Sequence, residues 1–159
     1  MKVLVIYYSF EGNTRYIAEH VAKAVNGDLL ELKPVNDIKT KGFMKYLWGG
    51  RQVVTGIKPE IQKIDTDINQ YDLIFMGTPV WAFSYAPAMN TFLSNYKIEG
   101  KKIALFCCNG GGKGKTFVNF RQKLEGNDIV GEIEFIDPVK NVSEKAVKAQ
   151  RWAMEMVGK

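Results

Sequence analysis

The chain opens with an unbroken apolar run, Val3-Leu4-Val5-Ile6-Tyr7, short and rich in β-branched side chains. Consecutive apolar residues over so few positions fit a strand buried on both faces. Three more runs follow: Leu73-Ile74-Phe75-Met76, Ile103-Ala104-Leu105-Phe106-Cys107, and a mixed one from Ile129 to Ile136. A weaker run lies at Leu29 to Leu32. Between them the apolar positions change to helical spacing. Ile17, Val21 and Ala24 repeat after the first run, and Met89, Phe92, Leu93 and Tyr96 after the third, with Pro87 where a helix can begin. Phe117, Phe120 and Leu124 follow the fourth run. Ala149, Trp152, Ala153 and Met156 follow the fifth, with Asn141 or Ser143 as N-cap. Repeated strand–helix alternation predicts an α/β fold: a doubly wound, five-stranded parallel sheet with helices on both faces. No linker, repeat or low-complexity tract divides residues 1–159, which are read as one domain.

One segment breaks the alternation. From Ile38 to Pro59 there is no acid except beyond its ends, while Lys39, Lys41, Lys45, Arg51 and Lys58 all fall there. Phe43 with Leu47, and Met44 with Trp48, are spaced four apart, as on one side of a short helix. Two readings stand: a connector with a solvated basic face, and a docking surface.

Composition narrows the class. A chain of 159 residues is long enough for a real core. No apolar run approaches the roughly 20 residues that span a bilayer. Met1-Lys2 leads straight into a run too short for a signal peptide, so a cytoplasmic protein is expected. Cys107 and Cys108 are adjacent, where a disulfide would strain the intervening peptide, and no metal-ligand spacing accompanies them. His20, the one histidine, is expected on a helix surface. The formal charge of +5 permits an acidic partner, a nucleic acid or an anionic membrane but selects none of them; no nucleic-acid partner and no membrane span are expected.

In an open parallel sheet, ligands bind beyond the carboxyl ends of the strands. Three segments are expected at that edge. Ser9-Phe10-Glu11-Gly12-Asn13-Thr14 places hydroxyls, an amide and a glycine just before a helix, where N–H groups and the helix dipole favour a phosphate. An ordinary N-cap turn would have the same chemistry. Thr78-Pro79-Val80-Trp81-Ala82-Phe83-Ser84-Tyr85 is read as a loop whose three aromatics suit the walls of a flat ligand, unless they fold back on the protein. Asn109-Gly110-Gly111-Gly112-Lys113-Gly114-Lys115-Thr116 leaves main-chain groups open to a ring edge, unless it is merely flexible. Its Gly114-Lys115-Thr116 end also imitates a phosphate-binding P-loop, with Asp137 in the metal-binding role, but Asn109 stands where that motif needs its first glycine.

Taken together, these segments resemble the flavodoxin family. Residues 7–14 are similar to its phosphate signature, Thr78-Pro79-Val80-Trp81 to its first flavin loop, and Asn109-Gly110-Gly111 to its second. The resemblance implies one non-covalent FMN, its phosphate on Ser9 to Thr14 and its ring between Thr78–Phe83 and Asn109–Gly111, in a short-chain form lacking the fifth-strand insertion. It also implies electron transfer with a redox partner protein, or, in a flavodoxin-fold reductase, hydride transfer from NAD(P)H to a quinone or similar acceptor. A main-chain carbonyl near the small Ala82 would suit the flavin N5, and Lys113 and Lys115 would favour an anionic reduced ring. Two positions depart from the family pattern. Glu11 replaces a hydroxyl residue and is expected to turn to solvent, and the chain is basic where electron-shuttling flavodoxins are acidic.

Overall fold

The computed structural model describes residues 1–36, 51, 54–138 and 140–159. Most of the basic 38–59 segment, including Lys39, Phe43, Lys45 and Trp48, lies outside the described residues.

Along the chain come β1 (Val3–Tyr7), α1 (Asn13–Val25), β2 (Asp28–Glu31), β3 (Leu73–Trp81), β4 (Ser84–Tyr85), α2 (Pro87–Asn95), β5 (Lys102–Asn109), α3 (Thr116–Lys123), β6 (Asp128–Ile136) and α4 (Val142–Val157). The sheet order is β2-β1-β3-β5-β6, all parallel, with the two-residue β4 antiparallel on the tail of β3. The five parallel strands agree with the sequence expectation; β4 is an addition.

Alternation along the strands divides the core in two. Leu4, Ile6, Ile74, Met76 and Leu105 pack on one face with Met89 and Phe92 of α2 and Phe117 and Phe120 of α3. Val3, Val5, Leu73, Phe75 and Phe106 pack on the other with Ile17 and Val21 of α1 and Trp152, Ala153 and Met156 of α4. Burial on both faces is why the central strands read as unbroken apolar runs. Successive residues point to opposite faces, so Cys107 belongs to the first cluster and Cys108 to the second. Both are free thiols, each pushed up to about 12 by burial.

One local expectation is corrected. Residues 78–81 are strand rather than loop: β3 runs on to Trp81 and turns through Ala82-Phe83 into β4. His20 is half-buried, its ring edge-on to Tyr16 (centroids 4.6 Å apart) and its Nδ1 3.4 Å from Nε2 of Gln150 on α4. Asn141, one of the two residues expected there, is the N-cap of α4; it sits at φ 57° and its side chain makes no capping hydrogen bond. No described helix is long and apolar enough to cross a membrane.

Candidate cofactor site

From β1 the chain steps out to β2 and returns to β3 on the other side. The strand order therefore reverses between β1 and β3, the place where open α/β sheets leave a crevice beyond their carboxyl ends. Tyr7 pairs with Gly77, and Thr78 and Pro79 pair with Cys107 and Cys108. The strands thus deliver residues 9–14, the 81–84 turn and residues 109–115 to one edge.

The first segment ends in the open mouth of α1. Gly12 is its N-cap at φ 94°, a left-handed conformation that suits glycine. The first helical bond runs from Tyr16 N–H to the Gly12 carbonyl (2.9 Å), which leaves the N–H groups of Asn13, Thr14 and Arg15 at the mouth. No side chain caps the helix and its first turn holds no acid. Ser9 Oγ accepts the Gly12 N–H at 3.2 Å, which folds the turn and keeps the Ser9 proton available to donate. Thr14 is 1% exposed, yet its Oγ1 has no hydrogen-bond partner among the described residues. It lies against the Cys108 thiol and lowers that group's pKa, against the rise that burial causes, but the approach falls short of a hydrogen bond. An orphaned buried hydroxyl costs about 1–3 kcal/mol; Thr116 Oγ1 is orphaned as well, but there the Lys115 and Thr116 N–H groups are already bonded, whereas the mouth of α1 at Thr14 is open. Arg15 is not a free counterion at that mouth: Glu31 on β2 holds its guanidinium, and Lys33 reaches the same carboxylate at 3.8 Å. Glu11 is exposed, as expected.

The second segment is a rigid hairpin. Trp81 packs edge-on against Tyr8 (5.7 Å) and Phe10 (5.6 Å), which ties the turn to the first segment. Thr78 is fully buried, donating to the Pro79 carbonyl (2.9 Å) and accepting the Ala86 N–H (3.0 Å); its hydroxyl joins the turn to α2. The turn residues Ala82 (φ 45°) and Phe83 (φ 64°) both lie in the left-handed region. Two-residue hairpins demand this and Asn-Gly supplies it cheaply, whereas residues with a Cβ pay about 1–3 kcal/mol each. Ala82 is exposed, and the Phe83 ring is 76% exposed.

In the third segment Asn109 organises the backbone. Its Oδ1 accepts the Gly112 N–H (2.6 Å), its Nδ2 donates to Glu134 (3.2 Å), and its carbonyl accepts the Asp137 N–H (2.9 Å). A Cβ built on Gly111 would meet no described atom within 4 Å, so this backbone borders open space. The P-loop imitation fails on geometry. The Lys115 N–H is spent on the Phe83 carbonyl (2.7 Å) and the Thr116 N–H on the Lys113 carbonyl (3.1 Å), so neither is available to cradle a phosphate. Asp137 is paired with Lys140 at 2.9 Å. Magnesium-dependent ATP hydrolysis should stay at background; hydrolysis that vanishes in Lys115→Ala would restore the P-loop reading.

Sequence reasoning located all three segments. It missed the Thr78 hydroxyl's structural use and the hairpin itself; the signal for the latter was an apolar pair, Val80-Trp81, continuing the third run past Pro79.

A doubly wound sheet of this order, with an uncapped, acid-free helix mouth at its switch point and an aromatic hairpin beside it, defines a flavodoxin-like α/β protein. The chain belongs to the flavodoxin family, whose sequence profile matches residues 2–132. A flavoprotein from Lactobacillus acidophilus, solved in complex with FMN, is 28% identical, with a TM-score of 0.74 over 89% of this chain and 98% of that one. A Bacteroides eggerthii protein described as a flavoprotein shares the fold at 22% identity, with a TM-score of 0.81 over 99% of both chains. A flavodoxin, WrbA-like protein from Agrobacterium tumefaciens shares it at 15% identity, with a TM-score of 0.62 over 99% of this chain and 98% of that one.

Proposed function

We propose that this protein binds one FMN and passes electrons between partner proteins. The observation that carries the reading is the Thr14 hydroxyl, buried and unpartnered at the uncapped mouth of α1. A phosphate there would accept from Thr14, from Ser9 and from the N–H groups of residues 13–15, with the helix dipole favouring its charge. Trp81 and the Ala82 backbone on one side, and Asn109, Gly110 and Gly111 on the other, would hold the ring. Bound FMN supplies one- and two-electron chemistry at that ring; the chain supplies position and electrostatics. Trp81 fixes a ring wall because Tyr8 and Phe10 fix Trp81.

Family membership and the FMN complex of the Lactobacillus relative support the cofactor. Titrating the protein with FMN while following flavin fluorescence is the direct test, and a protein that leaves the emission unchanged and stays colourless would end the reading. Emission of the bound flavin should be strongly quenched beside Trp81, and Trp81→Ala should partly restore it. Unchanged emission in that variant would place the indole away from the ring.

The chain's basic charge favours a second reading, NAD(P)H-dependent reduction of a quinone or similar acceptor, because the same charge attracts a phosphorylated nicotinamide. NADPH oxidation by the FMN-loaded protein alone would select it; reduction only through a protein donor selects the carrier.

A further inference from the structure

The hairpin turn presents a large apolar side chain that the described residues leave largely uncovered. Phe83 is 76% exposed and held at φ 64°, so the fold accepts strain and leaves the ring in water. The turn is not loose. Lys115 N–H bonds its carbonyl at 2.7 Å, Asn119 Nδ2 donates to Ser84 Oγ at 2.8 Å, and a Cβ on Gly114 would meet Phe83 Cα at 2.7 Å. A phenyl ring offered from such a platform loses little freedom when it is covered.

Its surroundings specify the covering. Val118, one helical turn along from Lys115, is 44% exposed. Lys113 and Lys115 are exposed, with Lys113 Nζ 5.8 Å from the Phe117 ring centroid, and the first turn of α3 holds no acid. Asp137, on the far side of the glycine segment, is already paired with Lys140. The result is an apolar centre with a cationic rim, and its complement is an acidic surface with an apolar recess. We propose that Phe83, Val118, Lys113 and Lys115 form the docking patch for an acidic electron-transfer protein. The patch borders the turn assigned above to the flavin, so a partner seated on it would stand beside the redox centre. This inference rests on the FMN reading.

The test uses FMN-loaded, photoreduced protein mixed in a stopped-flow instrument with two haem acceptors, acidic cytochrome b5 and basic cytochrome c. Wild type should reduce cytochrome b5 faster at low salt, slowing about tenfold or more as salt is raised through the ordinary laboratory range. A Lys113→Gln/Lys115→Gln variant should start at least about fivefold slower and show a flatter salt dependence. Phe83→Ser should slow transfer at every salt concentration without altering the slope, because it removes apolar contact and no charge. Oxidation of the same lysine variant by neutral benzoquinone is measured alongside, and the ratio of the cytochrome b5 rate to the benzoquinone rate should fall at least about threefold from wild type, because any change in the flavin's own potential acts on both acceptors while the lost docking charge acts only on the protein. Equal rates and slopes across the variants, or cytochrome c outrunning cytochrome b5, would overturn the patch. So would variants that slow reduction by NADPH and leave cytochrome b5 untouched, which would make it a dinucleotide site. Flavin uptake is measured first: a protein that takes no FMN ends the earlier reading, whereas a loaded protein with indifferent variants ends only this one.

Discussion

Thr14→Val should make the FMN-free protein more stable and the FMN complex weaker. Valine keeps the shape of threonine, so the packing around this 1%-exposed side chain is retained while its unpartnered oxygen is removed. Removing an unsatisfied buried hydroxyl recovers part of its desolvation cost, on the order of 1 kcal/mol. The same oxygen is the proposed donor to a phosphate dianion, and a hydrogen bond to a charged group contributes about 1.5–3 kcal/mol. Dissociation constants should therefore rise roughly ten- to 150-fold. Ligand binding stabilises the native state in proportion to the logarithm of ligand over Kd. The two effects then cross: in urea titrations Thr14→Val should unfold after wild type without FMN and before it with FMN in excess. Thr14→Ser, which keeps the hydroxyl, should hold most of the affinity. A valine variant that loses stability and binds FMN as tightly as wild type would show that the hydroxyl is satisfied within the protein, and the phosphate assignment would fall with it.

The parts of the fold that the sequence disclosed are those whose burial is one-sided in no sense. β1, the first half of β3 and the interior of β5, Ile103 to Cys108, are covered by helices on both faces, so their residues are apolar and the runs stand out. β6 was visible only as a mixed run because it lies at the sheet edge, where Glu132 and Glu134 reach outward to Arg121 and Asn109. The second half of β3 was hidden by Pro79, which cannot donate to a ladder. The structure shows why proline is tolerated. Gly77 gives its carbonyl to Tyr8, on the β1 side, and Pro79, two residues on, faces the same way, past the end of β1 at Tyr7. Its missing N–H falls where no strand would receive it.

The site divides similarly. The segment proposed for the phosphate was legible because Gly12-Asn13-Thr14 is a local arrangement: turn, helix mouth and hydroxyl lie within three residues. The hairpin was not, because Ala82 and Phe83 are poor residues for a turn with two positive φ values, and local preference alone argues against it. That conformation is imposed from outside by the Lys115–Phe83 hydrogen bond and the pairing of Trp81 with Ser84. The structural use of the Thr78 hydroxyl was hidden for the same reason: its partners, Pro79 and Ala86, are set by the turn.

Gly77→Ala should be among the most damaging single-methyl additions in the core. Gly77 of β3 pairs directly with Phe106 of β5, and a Cβ there would lie 2.1 Å from the ring's Cζ, 2.3 Å from Cε2 and 2.7 Å from Cε1. The ring cannot swing away freely: it is fully buried and stands edge-on to Trp152 at 6.3 Å. Overpacking of this kind costs about 1–3 kcal/mol, occasionally more, while the alanine gains about 0.4–1 kcal/mol by restricting the unfolded chain. A net loss of about 2 kcal/mol would lower Tm by roughly 4–8 °C in a domain of this size. The cause is separable from a general intolerance of substitution. Phe106→Leu alone should destabilise by removing ring contacts, but in Gly77→Ala/Phe106→Leu the smaller side chain makes room for the methyl. The double variant should be more stable than the sum of the single losses by about 0.5–3 kcal/mol, the range for residues in contact. Strict additivity in urea unfolding would mean that the glycine is needed for its backbone rather than for the ring across from it. Flavin affinity should move with the repair as well, because the Gly77 carbonyl holds Tyr8, the residue that leads into the segment proposed for the phosphate.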